Sequence, residues 1–108
     1  MKVIGRFYFR QTSSGNLLGE FSNNHTDCNI TESANLKGEF KNVFIGDFKS
    51  TWYESKAHSL DLNIKYKEYT GDKLYTLVWK KGDIPKYYGE GFLVDNILIG
   101  DYRNFEVI

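Results

Sequence analysis

Apolar side chains recur at every second position along most of this chain, and almost nowhere at the three-and-four spacing of an amphipathic helix. Val3, Gly5, Phe7 and Phe9 alternate with Ile4, Arg6, Tyr8 and Arg10; residues 12–16 have turn composition, and Leu17, Gly19 and Phe21 resume the alternation. The cleanest case is Leu60, Leu62, Ile64 and Tyr66 against Asp61, Asn63, Lys65 and Lys67, turned at Thr70, Gly71 and Asp72 into residues 74–79. Residues 87–94 and 97–103 form a last hairpin around Asp95 and Asn96, and Pro85 precedes it in a turn that interrupts no strand. The spacing predicts strands over 2–11, 16–23, 26–32, 35–41, 43–54, 58–67, 73–80 and, as a final pair, 86–103.

Four segments share the order apolar, any residue, Gly, acid, aromatic: those centred on Gly19, Gly38, Gly46 and Gly100. In a strand this order puts the apolar residue, the glycine and the aromatic on one face and the acid on the other. Inward glycines let a small sheet coil sharply, and short sequential turns give an antiparallel meander. Closure removes the two edges that an open sheet would leave. The expected fold is therefore all-β, a small antiparallel meander β-barrel of about eight strands spanning residues 1–108. That architecture resembles the small ligand-binding barrels of the lipocalin and avidin kind, although the Gly-x-Trp motif of lipocalins is absent from the first strand. Tyr88-Gly89-Glu90-Gly91 through Gly100-Asp101-Tyr102 resembles one copy of a MORN-repeat hairpin over about fifteen residues, read as convergence on a glycine-aromatic hairpin.

Composition narrows the function classes. Of the 108 residues 41% are hydrophobic and 17% aromatic, too many large side chains for a disordered chain, and 14 basic residues balance 14 acidic ones. A net charge of zero removes the electrostatic footprint of most nucleic-acid and membrane-surface binders. Lysines and aromatics interleave from Lys65 to Tyr88, but seven lysines against four acids over residues 55–86 is too weak for a nucleic-acid groove. No stretch is apolar enough for an export signal or a spanning helix, so a soluble cytoplasmic protein that engages neither membrane nor nucleic acid is expected.

Candidate chemistry is sparse. His25, Asp27 and Cys28 are chemically able to bind zinc or activate a thiolate, but their surroundings read as a turn, and a single cysteine supplies neither a disulfide nor a multi-cysteine metal site. No metal and no cofactor is expected. Glu39 with Asp47, and Glu90 with Asp101, alternate with the apolar face and should point to solvent. Gly89-Glu90-Gly91 is not followed by a helix, which a phosphate cradle needs.

The two tryptophans remain. Trp52 ends the inner-face run Phe44, Gly46, Phe48, Ser50, and Trp79 sits beside a lysine-rich turn, so both fall near strand ends and can wall one opening. The sequence is thus read as a non-enzymatic binding module for a small apolar or amphipathic ligand. Trp52, Trp79, Phe48 and Tyr66 serve as its aromatic wall, and Arg10, Glu54 and His58 as the polar groups that orient a head group. The alternative is a protein-interaction domain, an adaptor or inhibitor with a filled core, anchored by Tyr8, Tyr53, Tyr75, Tyr87 and Tyr88. Interior volume separates the two, because a ligand of ordinary size needs about 300 Å³.

Overall fold

A computed structural model of the protein describes residues 2–26, 28–69 and 72–105. Asp27 of the His25–Cys28 cluster, and Thr70 and Gly71 of the expected turn, lie outside the described residues. Eight strands follow one another: β1 (Val3–Gln11), β2 (Leu17–Asn23), β3 (Ile30–Leu36), β4 (Gly46–Glu54), β5 (Lys56–Tyr69), β6 (Asp72–Lys81), β7 (Ile84–Val94) and β8 (Ile97–Asn104). Each pairs antiparallel with the next, and β8 returns to β1 through pairs such as Phe7 with Gly100, closing the barrel. The fold is the all-β meander barrel that the alternation predicts. Among the described residues no helix is long and apolar enough to cross a membrane, which leaves strands unaddressed.

The main departure lies between residues 26 and 45. In place of strands over 26–32 and 35–41 there is one strand, β3, followed by a loop. Gly38 takes a φ of 82° and Phe44 a φ of 65°, left-handed conformations that no ladder accommodates. The repeat around Gly38 therefore belongs to the loop, and Gly46, at φ 145°, only opens β4, while Gly19 and Gly100 lie within strands. Proline placement also differs from expectation. Pro85 lies inside β7 opposite Lys80, at a register shift between Trp79 and Lys80, where the ladder is already interrupted.

The antiparallel order gives the barrel two distinct ends. The lower end carries the β1–β2 turn, the 37–45 loop and the Asp95–Asn96 turn, both of whose residues have the positive φ of a tight hairpin. The upper end carries the start of β1, the last residues of β2, β4, β6 and β8, and the Ser55 turn. Between them the inward residues Phe9, Leu17, Phe48, Leu62, Ile64, Leu77 and Leu98 are almost completely buried, so the middle of the barrel is packed solid. The outward acids behave as the alternation requires. Arg103 reaches Asp101 at 2.6 Å and Glu90 at 3.8 Å, and Asn63 Nδ2 donates to Asp47 Oδ1 at 2.8 Å.

Candidate functional site

Above the packed middle, one charged side chain points inward. In β3 the alternation Ile30, Glu32, Ala34, Leu36 places Glu32 on the core face, where its residue is only 4% exposed. On β4, Trp52 pairs with Glu32 and Ser50 with Ala34; Ser50 is fully buried, and its hydroxyl donates a hydrogen bond diagonally to Glu32 Oε2. The Trp79 indole Nε1–H donates to the same oxygen at 2.9 Å. Both donors bind Oε2 and leave Oε1 without a protein donor among the described residues, while Glu32 helps to line a cavity; the buried side-chain polar atom without a partner among those residues is instead Arg103 Nε.

That cavity occupies about 60 Å³ at the upper mouth and is lined by Phe7, Phe21, Asn23, Glu32, Trp52, Glu54, Trp79, Tyr87 and Tyr102. Its rings stand nearly at right angles: Phe21 to Trp52 at 85°, Phe21 to Tyr102 at 84°, and Tyr87 to Tyr102 at 89°, with centroids 5.8–6.3 Å apart. Tyr102 is set by two glycines that flank it across the sheet, Gly5 on β1 and Gly89 on β7. A Cβ at Gly5 would stand 2.5 Å from the Tyr102 ring, and one at Gly89 would stand 3.0 Å from the Trp79 ring, so the bare backbone makes room for both aromatics.

Electrostatics follow from burial. Desolvation pushes the Glu32 carboxyl up to about 7, against the pull of its hydrogen bonds from Ser50 and Trp79, since no cation neutralises it. Burial likewise raises the Tyr102 hydroxyl to about 12 although Asn23 Nδ2 donates to it at 2.9 Å, so that hydroxyl keeps its proton and remains a donor. The site thus offers one free carboxylate oxygen, one phenolic donor and an aromatic surround. It can hold a polar head group, and it can exchange a proton with it near neutrality.

The structure brings together Trp52, Trp79 and Glu54 on this cavity and places the other expected site residues elsewhere. Phe48 is fully buried in the packed middle, because it lies a rung below Ser50. Tyr66 is half-exposed at the lower end, its ring 4.9 Å from that of Tyr75. Arg10 is exposed, having the outward parity of β1, and pairs with Leu18 and Ile97 near the lower turns. His58 stacks on Trp52 at 5.3 Å and 11° with Nε2 3.2 Å from the Glu54 carbonyl, but does not line the cavity. Glu32 is the residue that sequence reasoning missed. Its signal was an acid in phase with Ala34 and Leu36, hidden when the segment was divided between two strands.

Cys28 is exposed, and among the described residues no group of three His, Cys, Asp or Glu side chains is placed to hold a metal ion. No family model, curated protein or solved structure matches the chain.

Proposed function

We propose that this barrel is a non-enzymatic binding module that holds one end of a small amphipathic ligand in its upper mouth. A single observation supports the reading: an inward carboxyl whose second oxygen has no protein donor among the described residues, at an aromatic-walled cavity. An acceptor held on the inner face and open to the cavity takes its hydrogen bond from whatever occupies that cavity, water or the polar end of a guest. The cavity's 60 Å³ limits what enters to a group of a few heavy atoms, well below the ~300 Å³ of a site that engulfs its ligand. The rest of the ligand lies outside, beside exposed Glu54.

N-phenylnaphthylamine, an uncharged dye whose phenyl end is offered to the mouth while its naphthalene stays outside beside Trp52, tests this. Saturable quenching of tryptophan emission at micromolar protein, lost in a Trp52→Ala variant that keeps its β-sheet circular dichroism, is the expected result. No quenching in the wild type would overturn the reading.

A protein-interaction role is the second reading, and one feature favours it. The outer face of the last hairpin exposes Phe92 (51%), Val94 (48%) and Ile99 (42%), with Phe92 directly opposite Ile99 in the ladder. Of the tyrosines expected as anchors for a partner, Tyr75 is buried and Tyr87 lines the mouth, while Tyr53 is 71% exposed.

A further inference from the structure

The residues around the mouth cavity have one sign of charge. Glu32 and Glu54 both line it, and among the described residues no Lys, Arg or His does. An anionic guest would meet two carboxyl groups with no compensating cation, and a neutral one would leave Glu32 without a counter-charge in a buried site. A cation satisfies both. Tryptophan, tyrosine and phenylalanine rings attract positive charge over their faces, and four such rings, Phe21, Trp52, Tyr87 and Tyr102, line the cavity. Hydrogen bonding narrows the choice of cation further. Oε1 is an acceptor with no protein donor among the described residues, and an N–H of a primary ammonium can take the place of water there whereas a quaternary nitrogen cannot. The cavity's 60 Å³ suits an ammonium and its first methylene but not a planar guanidinium with its stem.

We propose that the mouth recognises the primary ammonium end of an alkylamine, with Glu32 Oε1 as its hydrogen-bonding counter-ion and the surrounding rings as its cage. This rests on the mouth being a ligand site, and it names the class of ligand. The alkyl chain leaves through the opening past Trp52 and Glu54.

Three probes of equal length separate the charge classes: n-butylammonium, n-butanol and butyrate, each titrated into the isotopically labelled protein and followed at the Trp79 indole N–H resonance. At about pH 8 the amine is charged and Glu32 is ionised. The expected result is a saturable shift with n-butylammonium, at a Kd about tenfold or more below that for n-butanol, and no shift with butyrate. Butyltrimethylammonium should bind more weakly than n-butylammonium, and Glu32→Gln should reduce n-butylammonium to the level of n-butanol. A pH series on the wild type supplies the same contrast without a variant, with amine affinity falling as pH drops through 7 and alcohol affinity holding constant. The other titratable groups around the site are Glu54 on β4, Tyr87 on β7, Tyr102 on β8 and, behind Trp52, His58 on β5, so the series is repeated in His58→Gln. Equal binding of alcohol and amine would overturn the ammonium assignment and leave the mouth as a ligand site. Tighter binding of the quaternary amine would overturn the hydrogen-bonding role of Oε1. Silence from all the probes together with failure of the dye would overturn both readings.

Discussion

The two ends of the barrel are built from the same alternating strands and finish differently. At the lower end the chain closes over itself. Phe44 is 1% exposed, held in a left-handed conformation at φ 65°, and its N–H donates to Gln11 Oε1 at 2.7 Å while its ring packs against Tyr75. A bulky residue in that conformation is strained, and burial of a whole aromatic ring offsets the cost. At the upper end the inward positions belong to Glu32, Ser50 and Asn23, and the aromatic residues there surround a space without filling it. An inward position is therefore not the same as a core position. The difference is set by whether the side chain that meets the core at that end can lose water without a partner, as Phe44 can and Glu32 cannot.

The contrast is broken most directly at the lower end. Phe44→Ala should cost about 3–5 kcal/mol in urea unfolding, as for other buried aromatics, with the Trp79 indole resonance little moved. A loss below about 1 kcal/mol would show that the loop does not seal the barrel.

At the upper end, Glu32→Gln sharpens the comparison through pH. The folded carboxyl titrates near 7 and the unfolded one near its usual 4.5, so the folded state holds its proton more tightly. Below 4.5 both states are protonated and the full contribution is present. Between 4.5 and 7 the unfolded chain has released its proton first, so stability falls as pH rises, levelling once the folded carboxyl has ionised. Relative to Glu32→Gln, which keeps an acceptor for Ser50 and Trp79, the wild type should lose about 3 kcal/mol across that window. Parallel stability–pH curves for the two proteins would refute the account of the buried carboxyl.

The smallest effect is expected in the upper-end segment between β2 and β3. Cys28 is exposed in the segment that joins β2 to β3. Cys28→Ser should change stability by no more than about 0.5 kcal/mol and leave dye and amine binding intact. A loss of binding would mean that this segment contributes to the mouth.

Much of this protein is legible in its sequence because period-two alternation is a local property: a strand's inward face needs only its own residues to declare it. The runs Phe7–Phe9 and Leu60–Leu62–Ile64, and the Asp95–Asn96 turn, specify paired strands, and enough short paired strands with exposed edges specify closure. Local order also placed Trp52 and Trp79 near strand ends. It did not place Arg10 and Tyr66, because which end of the barrel a residue reaches depends on the direction of its strand in the closed sheet, and both sit toward the lower end. Nor did it expose the 37–45 loop, whose copy of the glycine pattern looks like a strand until Gly38 and Phe44 take positive φ to turn the chain beneath the barrel. Glu32 was decided by tertiary structure above all. Only when β3 lies beside β4, and Trp79 arrives from across the barrel 47 positions later, do two donors converge on one oxygen and leave the other without a protein donor among the described residues.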